Sequence, residues 1–181
     1  MDSVISSSIS EVSKLYYGKL GKYIHVTSSG DDFATQTSQM FSVPMFRELI
    51  APYFKERIRY TKTLTDAKFL HHSCGNVSPL IPTLIECGVD MLNPIQPCAE
   101  EMQPCNLVKN YGNKITFHGG FDTQAYLPNL TPAEIEEKVG ELFAQMKGNS
   151  YIFAAAHNIQ QDVPVENINA LFEAAKKFKS K

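Results

Sequence analysis

The sequence has little net charge and no cluster of basic residues. Its 17 lysines and arginines nearly balance 19 aspartates and glutamates, which gives a formal net charge of −2. Nucleic acids and anionic lipids attract proteins largely through a positive field. No run of lysines and arginines with interleaved aromatic residues supplies such a field. The composition therefore argues against a nucleic-acid-binding role.

Paired cysteines and long apolar segments are also missing. None of the four cysteines lies in a C-x-x-C motif, and they form no close-paired framework. The opening residues, MDSVISSSIS, lack the basic segment and apolar stretch of a signal peptide. The longest apolar runs are far too short to cross a bilayer. These absences predict a cytoplasmic protein with reduced thiols and no membrane association. We expect Cys87, Cys98 and Cys105 to be ordinary helix and loop residues.

The composition is that of one folded domain. The chain has 181 residues, of which 43% are hydrophobic and 20% are charged. A chain of this length buries roughly two thirds of its surface when it folds. No low-complexity linker divides it, so we expect residues 1–181 to form a single domain.

Short β-rich segments alternate with amphipathic helical segments along most of the chain. Strands are predicted at 23–28, 68–73, 90–96, 114–120 and 151–157. Helices are predicted at 44–60, 79–88, 99–111, 131–148 and 164–179, with a weaker one at 1–20. Five consecutive βα units predict a parallel sheet with right-handed crossovers. Their length suits either an open doubly wound sheet or a (β/α) barrel.

Polar and reactive side chains cluster where the predicted strands end. In both architectures the functional groups lie just past the carboxyl ends of the strands. The clusters are Asp31-Asp32, His72 with Cys74, Asn93 to Gln96, His118 to Asp122, and His157 to Gln160. The sequence therefore predicts an active-site face at this edge of the sheet.

The segment FLHHSCGNV (69–77) poses the sharpest question, because His72 and Cys74 could bind a metal or merely end a strand. Side chains two positions apart on a strand point to the same side, so these two could share one ion. His71 alternates with them, and we expect it to face the helices. For other residues the plain alternatives are also open: a helix-entry turn at 31–32, a turn cap at Asp122, a tight turn at 118–120 and a structural His157.

Several segments together resemble the uroporphyrinogen decarboxylase superfamily, which includes porphyrinogen decarboxylases and corrinoid-linked methyltransferases. They are GDDFATQ (30–36), HSCGNV (72–77), LIECGVDMLNPIQ (84–96), ITFHGGFDTQ (115–124) and YIFAAAHNIQQDVPVENI (151–168). The resemblance implies a partial TIM (β/α)8 barrel, with the five strands as the fourth to the eighth after an N-terminal helix. A typical barrel takes about 250 residues, so the first three βα units would be missing.

A missing part of the barrel would leave two open sheet edges and expose apolar core layers. Two explanations are open: the sequence is a fragment of a longer protein, or a partner supplies the missing surface. In either case we expect self-association through the open edges.

The resemblance also implies a set of site residues. Superfamily methyltransferases that act on thiols such as coenzyme M hold zinc with an H-x-C motif and a later cysteine. His72-Ser73-Cys74 matches the motif, whereas His157 stands where the later cysteine is expected. This is a departure, although imidazole is an ordinary zinc ligand and porphyrinogen decarboxylases tend to have a histidine there. The expected roles are metal binding by His72, Cys74 and His157, catalysis by Asp31, Asp32 and Asp122, and substrate binding by Asn93, Gln96 and His118.

Three functions follow as hypotheses. The first is zinc-dependent methyl transfer from a methylated corrinoid to a small-molecule thiol, with a corrinoid protein as partner. The second is decarboxylation of a porphyrinogen, which requires no metal or cofactor. The third is an inactive partial barrel that acts as a binding or assembly subunit.

Overall fold

A computed structural model describes residues 4–179, which form a five-stranded parallel sheet with helices packed against it. The strands are β1 (Val26–Gly30), β2 (Lys68–His72), β3 (Met91–Ile95), β4 (Thr116–Phe121) and β5 (Tyr151–Ala155). The α-helices are α1 (Val4–Leu20), α2 (Val43–Leu49), α3 (Ala51–Leu64), α4 (Ile81–Cys87), α5 (Pro104–Tyr111), α6 (Pro132–Met146) and α7 (Val165–Phe178). Short 3₁₀ helices span Gly21–Tyr23, Ser78–Leu80 and Glu100–Met102.

Each strand pairs in parallel with the next one in the chain, in the order β1-β2-β3-β4-β5. A doubly wound sheet reverses its strand order at a switch point, whereas a barrel adds every new strand on the same side. The unbroken order is therefore that of consecutive barrel units, and the five strands described here do not close into a ring. Of the two architectures left open by strand alternation, the structure confirms the partial barrel.

The two faces of the sheet differ in their cover. His71, Leu92 and Phe117 occupy paired positions on β2, β3 and β4, and all three are fully buried on the face that the helices cover. Successive strand residues point to opposite faces. We call the other side the open face; there His72 pairs in register with Asn93, and both side chains are only half-buried.

Prolines change two of the predicted boundaries. The predicted helix 44–60 is two helices, α2 and α3, which meet at Ile50. Pro52 lies in the first turn of α3, where a missing backbone N–H is tolerated because the first turn has no partner for it. Likewise the predicted helix 99–111 is a 3₁₀ turn followed by α5, which begins at Pro104. The predicted strand 23–28 starts too early, since β1 begins at Val26.

Other local signals are confirmed. Thr131 caps α6 through a capping box with Glu134, in which each side chain bonds the other residue's backbone N–H. Gly88 ends α4 in the left-handed conformation, with φ of 98°. The weak N-terminal helix exists as α1, although the predicted residues 1–3 lie outside the described part of the chain.

Both edge strands carry exposed apolar side chains. In the described residues β1 pairs only with β2, and β5 pairs only with β4. Val26 on β1 is 42% exposed and Ile152 on β5 is 41% exposed. The helices next to these strands also carry exposed apolar side chains, since Leu15 on α1 and Phe172 on α7 are largely exposed. Within residues 4–179, moreover, none of the helices has the length and apolar character needed to span a bilayer.

Candidate metal centre

Asp32, His72 and Cys74 form a compact group at the carboxyl ends of β1 and β2. One ligand atom from each residue lies within 4.8 Å of the others. Nε2 of His72 is 3.5 Å from Sγ of Cys74 and 3.8 Å from Oδ1 of Asp32. A ring nitrogen, a thiol and a carboxylate are all ordinary ligands of zinc. The group therefore has the composition and spacing of a metal centre.

Two loops that meet directly bring Asp32 to the H-x-C motif. The backbone N–H of Cys74 donates to Oδ1 of Asp32 at 2.8 Å, across 42 positions in sequence. After Cys74 the chain turns through Gly75, whose φ is 81°. A Cβ on Gly75 would lie 2.2 Å from the carbonyl oxygen of Thr35, so only glycine allows this approach. The loop after β1 is thus pressed against the loop after β2.

Ser73 strengthens the same junction from the buried side. Its hydroxyl accepts a hydrogen bond from the backbone N–H of Phe33 at 2.9 Å. The backbone N–H of Asn76 in turn donates to the carbonyl of Thr35 at 2.8 Å. These bonds join the loop after β1 to the loop after β2 close to Asp32 and Cys74. The backbone that carries the two ligand residues is therefore held in place.

A row of polar side chains continues from His72 across the open face. Oδ1 of Asn93 lies 2.7 Å from Nδ1 of His72, and Nδ2 of Asn93 contacts Nδ1 of His118. The three residues come from β2, β3 and β4. Burial lowers the pKa of His118, which favours the neutral ring that can accept a hydrogen bond from Asn93. Asn93 therefore links two imidazoles.

Cys74 is not an activated nucleophile. Burial raises the pKa of its thiol, and the nearby carboxylate of Asp32 raises that pKa further. Reactive cysteines have the opposite surroundings, in which positive charge stabilises the thiolate. A bound cation would reverse this effect, because metal binding displaces the thiol proton. The environment of Cys74 accordingly suits a metal ligand better than a free thiolate.

Three other predicted site residues have contacts of their own. Asp31 is paired with Arg57 at 3.5 Å on the surface. Oε1 of the buried Gln96 accepts the backbone N–H of Gly75 at 2.7 Å, which supports the turn after the H-x-C motif. Oδ1 of Asp122 accepts the backbone N–H groups of residues 124 and 125 at 2.7 and 2.6 Å. For Asp122 this is the turn-cap geometry raised as an alternative, and its catalytic role stays a prediction.

His157 does not join the metal group. It is exposed just after β5, at the opposite edge of the sheet from β1, and the group that the described residues form consists of Asp32, His72 and Cys74. Its assignment as a ligand remains a prediction from the family resemblance. Asp32, which we expected to act in catalysis, takes the third place in the observed group.

His71 and the other cysteines lie outside the site. The His71 ring is fully buried, stacked on Phe33 and edge-on to Phe54 with centroids 4.9 Å away in each case. This confirms that His71 faces the helices. Cys87 is buried, whereas Cys98 and Cys105 are exposed, and all are free thiols.

Sequence reasoning missed the bridging role of Asn93. The signal was the strand register: His72 and Asn93 are the last paired positions of β2 and β3, and a register shift follows in β3. Predicted strand boundaries are uncertain by more than one residue, so this pairing could not be counted from the sequence.

Comparisons with known proteins agree with the fold. The profile of the family Uroporphyrinogen decarboxylase (URO-D) matches residues 28–178. A solved structure described as a methyltransferase from Methanosarcina mazei superposes with a TM-score of 0.70 at 20% identity, covering 94% of this chain and 47% of that one.

Two relatives have names that indicate different activities. The Methylated-thiol--coenzyme M methyltransferase of Methanosarcina mazei is 26% identical over 166 residues, which is 88% of this chain and 40% of that protein. The Uroporphyrinogen decarboxylase of Rickettsia canadensis is 31% identical over 94 residues, which is 52% of this chain and 26% of that protein. The chain thus spans less than half the length of these relatives. Since the family profile covers most of its residues, the chain belongs to the uroporphyrinogen decarboxylase family.

Proposed function

We propose that this chain belongs to an enzyme that transfers a methyl group from a methylated corrinoid to a thiol, with zinc bound at the Asp32–His72–Cys74 group. The observation that carries the proposal is the 3.5 Å separation of His72 Nε2 and Cys74 Sγ. At zinc bond lengths of about 2.0–2.1 Å to nitrogen and about 2.3 Å to sulfur, tetrahedral ligands lie about 3.6 Å apart. The nitrogen and sulfur atoms therefore fit a shared zinc ion without rearrangement.

The third ligand can come from either of two residues. Asp32 is supported by its 3.8 Å distance from His72 Nε2, close to the about 3.4 Å expected for nitrogen and oxygen on one tetrahedral zinc. His157 is supported by the family resemblance alone. Three protein ligands leave one position open, which is the arrangement of catalytic zinc sites.

Zinc bound here would supply a Lewis acid that favours the thiolate form of a coordinated substrate thiol. The chain's own residues present the ligand atoms. His72 offers Nε2, while Nδ1 faces the side-chain oxygen Oδ1 of Asn93. Cys74 offers Sγ, and its backbone N–H holds the carboxylate of Asp32. The methylated corrinoid makes its own methyl group transferable, so the protein's task is to bind and orient the acceptor thiol.

One relative supports a thiol as the acceptor. The Methanosarcina mazei relative that matches 88% of the chain has the name Methylated-thiol--coenzyme M methyltransferase. By analogy the acceptor here is a small thiol, whereas the methyl donor on a corrinoid protein is proposed from the family resemblance alone. Asp31 and Asp122 are proposed to act at the neighbouring strand ends, and Gln96 and His118 to contact the substrate.

Porphyrinogen decarboxylation is the second candidate. It is supported by the decarboxylase relative from Rickettsia canadensis, which has the higher identity over the segment that it matches. The polar row of His72, Asn93 and His118 offers hydrogen-bonding groups on the open face without any metal. Under this hypothesis the protein would turn over a porphyrinogen after complete removal of zinc.

The open edges support a proposal about assembly. Val26 and Ile152 expose apolar surface on the two edge strands, and such strands are templates for pairing with another chain. We propose that the chain associates with itself or with a further barrel segment through these edges. An inactive assembly subunit, the third hypothesis, would show this association without either enzymatic activity.

Zinc stoichiometry tests the leading proposal. Protein purified and dialysed against zinc-free buffer should retain about one zinc per chain, and His72→Ala and Cys74→Ala should lose it. Cys105→Ala is the matched control, because it removes an exposed cysteine away from the group. Asp32→Ala and His157→Ala then decide the third ligand. Wild-type protein that takes up no zinc from a buffered excess, yet consumes a porphyrinogen, would overturn the proposal.

A further inference from the structure

Both ends of the Asn93 side chain contact a histidine. Its carbonyl oxygen faces Nδ1 of His72 at 2.7 Å, and its amide nitrogen contacts Nδ1 of His118. Asn93 lies opposite His72 in the pairing of β2 with β3, so the backbone fixes the first contact. Each end of the carboxamide thus has a histidine partner, and the substrate-binding role that we expected for Asn93 stays a prediction.

These contacts determine which nitrogen of His72 carries the proton. An amide oxygen can only accept hydrogen bonds, so Nδ1 of His72 must be the donor. In the neutral ring Nε2 then keeps its lone pair, and this is the nitrogen that lies 3.5 Å from Sγ of Cys74. If the amide were turned over, Nδ1 would accept and Nε2 would carry the proton, which would block it as a ligand.

His118 lies on the other side of the amide. The amide nitrogen can only donate, so in this orientation Nδ1 of His118 is its acceptor. A reversed amide would instead need Nδ1 of His118 to carry a proton. A His118 ring with its proton on Nε2 therefore supports the orientation of Asn93 seen in the structure.

We propose that Asn93 is a positioning residue that fixes the tautomer and ring orientation of His72, so that Nε2 is presented to the metal, and that His118 fixes the orientation of Asn93. The inference rests on the proposed zinc site. It adds that residues without any metal contact determine the affinity of that site. Hydrogen-bond partners of ligating histidines commonly change metal affinity by about 10- to 100-fold when they are mutated.

Two variants separate positioning from a merely structural role. Asn93→Ala removes the acceptor, and we expect its zinc affinity, measured by chelator competition, to fall by about 10- to 100-fold. Asn93→Asp keeps an acceptor at the same place with the same size, and we expect it to retain zinc affinity. His118→Leu leaves the amide nitrogen of Asn93 without its acceptor, so a smaller loss than that of Asn93→Ala is expected.

Long-range ¹⁵N–¹H spectra of the zinc-free protein give a readout that does not depend on metal. We expect the His72 ring to be protonated at Nδ1 in the wild type and in Asn93→Asp, and to lose this preference in Asn93→Ala. A wild-type ring protonated at Nε2, or equal zinc affinity in Asn93→Ala and wild type, would overturn the inference. Failure of the wild type to bind zinc would instead overturn the proposed function, so the two failures are distinguishable.

Discussion

Consecutive histidines on β2 point to opposite faces of one sheet and have opposite environments. His71 is fully buried between Phe33 and Phe54, and burial lowers its pKa to about 3. His72 is half-exposed, and its two ring nitrogens face Asn93 and Cys74. The same residue type therefore serves as a neutral core group on one face and as a candidate metal ligand on the other. Strand alternation alone separates the two roles.

The comparison extends to the whole sheet. On the helix-covered face, Leu92 and Phe117 continue the buried layer that His71 begins. On the open face, Asn93 and His118 continue the polar row that His72 begins. Stability should therefore depend mainly on the covered face, and ligand binding on the open one.

The largest expected effect is loss of stability when the covered face is truncated. Leu92→Ala removes a fully buried side chain and leaves a cavity, so the free energy of unfolding should fall by about 3 kcal/mol. Urea denaturation followed by circular dichroism measures it. Leu70→Ala, on the half-buried open face of β2, is the matched control and should lose less. Equal losses would mean that the two faces are packed alike.

Zinc bound on the open face should raise the free energy of unfolding by slightly less than Leu92→Ala lowers it. Saturation to about 100 times the dissociation constant adds about 2.7 kcal/mol to the free energy of unfolding when only the folded chain binds. Thermal denaturation with and without zinc would show the shift in the wild type and in Cys105→Ala. Cys74→Ala should show none, because it lacks one ligand. A shift that persists in Cys74→Ala would place zinc elsewhere.

Acid should destabilise the covered face through His71. Its pKa is about 3 when folded, against 6.5 for the ordinary side chain, so the unfolded chain binds the proton more tightly. Burial is the main cause; the positive charges of Arg57 and of protonated His72 act in the same direction, and Asp32 opposes them. The stabilisation is thus complete above about pH 6.5 and is lost as the pH falls toward 3. Between pH 7 and pH 5 the loss from this group is about 2 kcal/mol.

The variant His71→Phe isolates that contribution. It keeps an aromatic ring between Phe33 and Phe54 but cannot bind a proton, so its stability should depend less on pH than that of the wild type. Chelator should be present so that metal release from the open face does not contribute. His118, whose pKa is also lowered by burial, is unchanged in both proteins and cancels in the difference. If the free energy of unfolding depended on pH in the same way for both proteins, His71 could not be a buried, neutral group.

Most of the fold could be predicted from the sequence because its signals are local. Apolar strands, the capping box at Thr131 and the terminating Gly88 each act within a few residues, and the structure has them where the sequence places them. The wrongly predicted helix boundaries arise where an apolar pattern and a proline give conflicting local signals. At residues 44–60 a continuous apolar pattern favoured one helix, yet the chain forms two with Pro52 in the first turn of the second.

The site was only partly predictable because its geometry depends on contacts between distant segments. The side chains of His72 and Cys74 meet as predicted, although β2 ends at His72 and Cys74 lies in the loop that follows. Asp32 reaches them through the bond to the Cys74 backbone and the close approach of Gly75 to Thr35, neither of which leaves a pattern in sequence. The contact of Asn93 with His72 likewise depends on the register of β2 and β3, which the sequence does not show.

The smallest expected effect on stability is at the sheet edge, where an apolar side chain is exposed and not buried under helices. Ile152→Ser replaces a side chain that is already 41% exposed, so the free energy of unfolding should change by no more than about 0.5 kcal/mol. Self-association should weaken nevertheless, because the substitution removes apolar surface from an unpaired edge. Sedimentation velocity over a range of concentrations measures that change, and Val26→Ser tests the opposite edge. A loss of stability as large as that of Leu92→Ala would show that Ile152 is packed within the folded chain, and the open edge could then not be what brings chains together.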